Sequence, residues 1–84
     1  MDILLIKNLI YNSKSADELL ILEKIASKEH PKTKLSYFIE SLYFEKTGKI
    51  EKAIKALEKS YTAKEIGMLT KPFVLQEIDR LRRL

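Results

Sequence analysis

Few side chains in this 84-residue chain are of the types that carry covalent or metal chemistry. Thiol chemistry and thiolate metal sites are excluded because the sequence has no cysteine. The single histidine, His30, has no acidic residue at a metal-ligand spacing, and we expect it to interact with a helix dipole. The paired acids Asp17 with Glu18 and Glu51 with Glu58 fall at positions predicted to be exposed, where no pocket would activate them.

Nucleophile and phosphate-binding motifs are not found either. Ser13 and Ser15 have no general base at a suggestive spacing, and both suit helix caps. Neither of the common glycine-rich nucleotide motifs occurs, and Gly48 and Gly67 stand where predicted helices end. The sequence therefore predicts a protein that is not an enzyme and that uses no metal or cofactor.

Basic side chains outnumber acidic ones, 16 to 12, for a formal net charge of +4. This excess is mild beside the dense basic stretches typical of nucleic-acid-binding proteins. The simplest interpretation of these basic side chains is that they form the solvated face of a helix. The alternative is that they contact an acidic partner or the phosphates of a nucleic acid. The candidates for such contact are Lys49, Lys52, Lys55, Lys59, Arg80, Arg82 and Arg83.

Five helices are predicted to position these residues, because every apolar series repeats at three and four residues and none alternates. Ser15 with Glu18 forms a capping-box pattern, Pro31 disfavours helix in the residue before it, and Gly48 and Gly67 suit helix ends. Pro72 suits a first helical turn. The predicted helices span about 2–12, 15–30, 33–47, 50–66 and 72–84 in a single all-α domain, 1–84.

The third predicted helix is apolar on two faces, so it must lie between neighbouring helices. One face carries Leu35, Phe38, Ile39 and Leu42. On the other, Tyr37 and Phe44 flank the small Ser41, which leaves room for a second helix to approach closely. The fourth predicted helix offers Ala53 and Ser60, two small residues seven positions apart, for that approach.

The stretch "YFIESLYF", the turn at Gly48 and the stretch "EKAIKALEKS" resemble the tetratricopeptide repeat, a helix–turn–helix unit of about 34 residues. A fainter copy begins one repeat length earlier, and Pro31 stands where the family places its closing proline. The sequence departs from the family at Glu40, where a leucine is usual, and at Glu65, where the closing proline is usual. The resemblance implies a right-handed stack of antiparallel helices: hairpin 1 at about 1–31, hairpin 2 at about 32–67 and a capping helix at about 71–84.

The resemblance also implies a concave groove that binds peptides or partner domains. The first helix of each repeat would line it, with Leu4, Asn8, Tyr11 and Asn12 from the first unit and Leu35, Phe38, Leu42, Glu45 and Lys46 from the second. Family members that clamp acidic chaperone tails use polar residues at set places. Asn8 alone matches that pattern here, so that specificity is disfavoured.

The first predicted helix is apolar around most of its circumference, and "LLIL" (19–22) continues this character on the second. Apolar surface that a small bundle leaves uncovered usually marks a contact site, although both helices could instead be core. The leading hypothesis is a non-catalytic adaptor that docks on a larger protein. The alternatives are a basic accessory subunit of a nucleic-acid-processing assembly and a stand-alone homodimer. The predicted protein-binding residues are Ile3, Leu4, Leu5, Asn8, Tyr11, Asn12, Phe38, Leu42 and Lys46.

The sequence also predicts where the protein resides. No apolar run approaches the ~18 residues of a membrane span. The opening "ILLI" has no basic residues before it and no small-residue cleavage site after it, which argues against a signal peptide. With no cysteine, the chain is typical of proteins in a reducing cytoplasm, so a cytoplasmic location without membrane contact is expected.

Overall fold

The protein, described here from a computed structural model, is built from helices. The structure describes residues 10–12, 15–29, 31–65 and 69–84. Four helices lie in these ranges: α1 (Ala16–Glu29), α2 (Lys34–Lys46), α3 (Ile50–Thr62) and α4 (Lys71–Arg82). Residues 10–12 are also helical, and no strand occurs within the described ranges. The predicted all-α class is confirmed.

Local capping signals account for three of the helix boundaries. The Ser15 hydroxyl accepts a hydrogen bond from the Glu18 backbone N–H (3.3 Å), so α1 begins where the capping pattern predicts. Thr33 caps α2 in the same way, through the backbone N–H of Ser36. After α2 the chain reverses at Gly48, whose φ of +79° lies in the left-handed region that favours glycine.

The end of α3 differs from its prediction, because the helix stops at Thr62 rather than continuing to about residue 66. Ala63 adopts an extended conformation, and the next residue pairs with the loop before α2. The Lys34 N–H donates to the Lys64 carbonyl (2.9 Å), and the Lys64 N–H donates to the Lys32 carbonyl (3.4 Å). This long-range pairing takes the backbone groups that another helical turn would have used. Gly67, the predicted stop, lies outside the described residues.

Helix α2 lies at the centre of the described part of the fold. It packs against α1 on one side and α3 on the other, as its two apolar faces predict, and α4 packs on α3. Phe38 of α2 also meets Phe73 of α4 edge to face, with ring centres 5.4 Å apart. The buried apolar cluster contains Leu19, Ala26, Phe38, Ile39, Leu42, Ala53, Leu57, Leu69, Phe73, Val74, Ile78 and Leu81.

Two predicted binding residues therefore belong to the core. Phe38 is 2% exposed and Leu42 is 1% exposed, so neither can line an open groove for a partner. The apolar face that they share is covered within the molecule, and Phe73 of the C-terminal helix supplies part of that cover. A partner could therefore reach these two side chains only if the helices around them moved apart, and their role in binding stays a prediction.

The small residues of α2 and α3 are buried, as the expected close approach requires. Ser41, Ala53 and Ser60 are each no more than 3% exposed. The Ser60 hydroxyl donates to the Lys34 carbonyl (3.2 Å), which places the start of α2 beside the end of α3. The two helices are thus antiparallel and joined by the turn at Gly48. Whether successive hairpins stack as in the tetratricopeptide family stays a prediction.

Candidate binding surfaces

Four residues of the predicted protein-binding set, Ile3, Leu4, Leu5 and Asn8, lie outside the described residues. Asn12 is exposed. Tyr11 and Lys46 are brought together, because the Lys46 ammonium lies over the Tyr11 ring, 4.3 Å from its centre, and donates to the Tyr11 carbonyl. These contacts join the segment before α1 to the end of α2, and they engage the Lys46 ammonium within the molecule.

The outer face of α1 carries two exposed isoleucines, which we call the isoleucine patch (Ile21 and Ile25). Ile21 is 57% exposed and Ile25 is 48% exposed, one helical turn apart. The opposite face of the helix is buried through Leu19 and Ala26. Exposed charges of both signs surround the patch on the same helix: Asp17, Glu18, Lys24 and Lys28. An apolar centre with a polar rim is the usual anatomy of a protein interface.

The sequence analysis included Ile21 in the apolar stretch 19–22 as possible contact surface, but it did not single out Ile25 and named neither residue in the predicted binding set. The signal was present, because Ile21 and Ile25 fall on one side of a helical wheel while Leu19 and Ala26 fall on the other. A helix with apolar residues on both sides either is sandwiched or exposes one side. Only the packing of its neighbours distinguishes those outcomes, and for α1 the outer side is exposed.

Five exposed lysines line two adjoining hollows on the outer side of α2 and α3, which together we call the lysine groove: Lys32, Lys52, Lys55, Lys59 and Lys64. Lys59 borders both hollows. The α2 wall contributes the half-buried side chains of Tyr37, Glu40 and Phe44. The Lys52 ammonium lies 5.9 Å from the centre of the Phe44 ring. The remaining lysine of the predicted stripe, Lys49, is exposed but does not line these hollows.

Glu40 is the carboxylate in the wall of this groove, and its environment disfavours its charge. Burial raises the pKa of Glu40, the nearby carboxylate of Glu23 on α1 raises it further, and the ammonium of Lys59 lowers it. Glu40 thus stands between a repulsive neighbour on α1 and an attractive one on α3. This is also the position at which the sequence departs from the leucine usual in tetratricopeptide repeats.

Replacing Glu40 with glutamine is expected to change how stability depends on pH. Because the pKa of Glu40 is raised by folding, the folded state holds this proton more firmly, and stability falls as the pH rises through the folded pKa. The free energy of unfolding of Glu40→Gln, measured relative to wild type, should therefore rise by about 0.5 kcal/mol when the pH is raised from about 4 to about 7. The change is small because water screens a half-buried carboxylate. Urea unfolding at the two pH values measures it. Glu51→Gln, at an exposed site on α3, is the control. The prediction would be contradicted if the free energy of unfolding of Glu40→Gln fell relative to wild type as the pH is raised.

The three candidate arginines occupy different environments. Arg82 and Arg83 are exposed at the end of α4. Arg80 is held in an ion pair: its two terminal nitrogens donate to the two carboxylate oxygens of Glu45 (3.0 and 2.6 Å), and one of them also donates to Glu77 (3.2 Å). The Glu45 hydrogen bonds raise the pKa of Arg80, burial opposes this, and Glu77 adds to the rise. Arg80 was predicted as a contact for an external anion, but its partners here are internal carboxylates that join α2 to α4.

Lys34 forms a further internal contact, which the sequence analysis missed. Its side chain is fully buried, and its ammonium donates to the carbonyls of Ser60 (3.0 Å), Tyr61 (2.9 Å) and Ala63 (2.7 Å). Burial lowers the pKa of Lys34, and the charge of Glu65 opposes this. The three bonds use all three donors of an ammonium and satisfy carbonyls at the end of α3, where a positive charge also complements the helix dipole.

A local anomaly could have drawn attention to Lys34. It occupies the first turn of α2, which has no acidic residue, and a cation is unfavourable at the positive end of its own helix. Such a residue is better placed if its charge serves another helix. The sequence does not say which helix, because Lys34 and its carbonyl partners are 26 to 29 residues apart.

Within the described ranges, no group of three or more His, Cys, Asp or Glu side chains is arranged to hold a metal ion. Among the helices of those ranges, none has both the length and the apolar character needed to cross a membrane. Comparison with known proteins finds no matching family model, no similar curated protein and no similar solved structure. Functional inference for this chain therefore rests on the two surfaces described above.

Proposed function

We propose that this chain is a non-catalytic interaction module, a small adaptor that docks on a larger protein through the isoleucine patch. The observation that carries the proposal is the exposure of Ile21 and Ile25 one turn apart on α1, although the same helix buries Leu19 and Ala26 against the core. Leaving two large aliphatic side chains about half exposed forfeits burial worth roughly 1 kcal/mol each, which a partner surface would recover.

The arrangement indicates the chemistry of the partner. Two aliphatic anchors four residues apart fit recognition of a helix by an apolar groove. The charges around the patch have both signs, Asp17 and Glu18 at the start of α1 and Lys24 and Lys28 further along. A partner groove with basic groups at one end and acidic groups at the other would complement them. The same proposal places the module in the cytoplasm, as the absence of cysteine predicts.

In this proposal the helices stack as tetratricopeptide-like hairpins that present α1. The support is local: an antiparallel α2–α3 hairpin turning at Gly48, buried small residues at Ser41, Ala53 and Ser60, and a last helix against Phe38. A scaffold of this kind holds α1 by its inner face and leaves its outer face for a partner.

The experiment that tests the adaptor proposal removes the apolar centre of the patch. The tagged double variant Ile21→Asp with Ile25→Asp should lose the protein that wild type retains from an extract of the source cells. Reconstitution with that purified protein should show an affinity at least about 100-fold weaker, as expected when two anchor residues are replaced by charges. Isothermal titration calorimetry measures the difference.

The control is Leu75→Asp, which places one aspartate, half of the charge that the double variant adds, on a half-exposed apolar site of α4. It should retain the partner. If Leu75→Asp and the double variant lose binding equally, or if the double variant still binds as wild type does, the patch is not the docking site. Light scattering over a dilution series tests the homodimer alternative, because a dimer that the double variant dissociates would make a second copy of the chain the partner.

A further inference from the structure

The lysine groove is a second surface, separate from the isoleucine patch, with a different chemistry. The lysines on α3 are spaced three and four residues apart, so Lys52, Lys55 and Lys59 extend over roughly 10 Å of the helix axis on one side. Lys32 and Lys64 continue the groove beyond the end of that helix. The charges thus form a track rather than a single point, which suits an extended anionic chain.

The acidic residues near the groove do not cancel this charge. Glu40 is the carboxylate among the residues that line the two hollows, and five lysines line them with it. Glu58, the acidic neighbour of Lys59 in the sequence, borders a different hollow between α3 and α4, together with Tyr61 and Arg82. The groove therefore presents predominantly ammonium groups.

Aromatic rings distinguish the candidate ligands. Phe44 and Tyr37 are half-buried in the α2 wall, one in each hollow, and the Lys52 ammonium lies 5.9 Å from the Phe44 ring centre. Rings interleaved with cations along a groove are the combination that binds single-stranded nucleic acid, since bases stack on the rings and phosphates meet the cations. An acidic peptide would use the lysines but has no groups that require the rings.

We propose that the lysine groove binds single-stranded nucleic acid, with phosphates on Lys52, Lys55 and Lys59 and a base stacked on Phe44. This inference does not depend on the isoleucine patch, and either surface can fail its test without affecting the other. Contacts from three ammonium groups predict modest affinity with a marked dependence on salt.

Fluorescence anisotropy with labelled oligothymidylate and oligouridylate of about 12 nucleotides tests the proposal. Wild type should bind, with a slope of about −2 in a plot of log affinity against log salt, as three phosphate contacts on a single strand predict. The triple variant Lys52→Glu, Lys55→Glu, Lys59→Glu should bind more than about tenfold more weakly and should lose most of the salt dependence. Phe44→Leu, which keeps an apolar side chain, should bind the oligonucleotides roughly tenfold more weakly, because it removes the ring on which a base would stack.

The matched control reverses three exposed cations elsewhere: Lys24→Glu, Lys28→Glu, Arg83→Glu. It changes the net charge equally but leaves the groove intact, so it should bind nearly as wild type does. Absence of binding at low salt, equal losses in both triple variants, or displacement of the oligonucleotide by an equal concentration of oligoglutamate would each overturn the proposal. Circular dichroism melts of wild type, both triple variants and Phe44→Leu test whether each variant is folded under the binding conditions.

Discussion

Lys34→Met is expected to lower the free energy of unfolding by about 3 kcal/mol, one of the two largest effects of a single substitution on stability that we predict. Methionine keeps most of the buried stem but removes the ammonium from the carbonyls of Ser60, Tyr61 and Ala63. Hydrogen bonds to a charged group contribute about 1.5–3 kcal/mol each, and removing the charge from its buried position offsets part of that loss.

Urea unfolding followed by far-UV circular dichroism measures this change, and the melting temperature should fall by roughly 12–24 °C in a domain of this size. Lys64→Met is the control, because Lys64 is an exposed lysine in the segment directly after α3 and contributes backbone hydrogen bonds that the substitution preserves. It should change stability by less than about 0.5 kcal/mol. Equal stability of Lys34→Met and wild type would mean that the ammonium does not hold the end of α3.

Arg80→Met is expected to lower the free energy of unfolding by about 2 kcal/mol. The guanidinium lies between Glu45, whose side chain is 12% exposed, and Glu77, whose side chain is 4% exposed. Its removal leaves two poorly solvated carboxylates without that shared cation. The loss is smaller than for a fully buried pair, because the Arg80 side chain is 35% exposed and its buried Nε–H has no hydrogen-bond partner within the described part of the chain.

Arg83→Met provides the comparison for this second substitution. Arg83 lies three residues further along, and its nearest approach to Asp79 is 4.0 Å with both side chains largely exposed. Its replacement should change stability by no more than about 0.5 kcal/mol. A double-mutant cycle between Arg80→Met and Glu45→Gln in urea unfolding should return a coupling energy of about 1–2 kcal/mol. A coupling energy near zero would show that the ion pair between Arg80 and Glu45 contributes no stability.

The features predicted correctly from sequence depend on neighbours within about four residues. Ser15 capping α1, Thr47 and Gly48 closing α2, and Pro72 in the first turn of α4 are read from local stereochemistry and backbone hydrogen bonding. The exposure of the lysines on α3 follows from helical periodicity in the same way. For the same reason the sequence missed the end of α3 at Thr62, where the deciding partners are Lys32 and Lys34.

The candidate surfaces were less predictable, because periodicity shows which residues share a helix face but not what covers it. Phe38 and Leu42 form an apolar face suited to a groove, yet Phe73 from the last helix helps to bury it. Ile21 and Ile25 share an equally apolar face, and it is exposed. The two cases look alike in the sequence and differ only in the tertiary structure.

By itself, then, the sequence determined the helical class, most helix starts and turns, and the lysines on the outer side of α3. Tertiary structure alone decided which apolar face is core, and it paired Lys34 with the end of α3 and Arg80 with Glu45. The physical reason is distance along the chain. Caps and helix faces are set by residues a turn apart, whereas these contacts join groups 26 to 35 residues apart and exist only once the helices have packed.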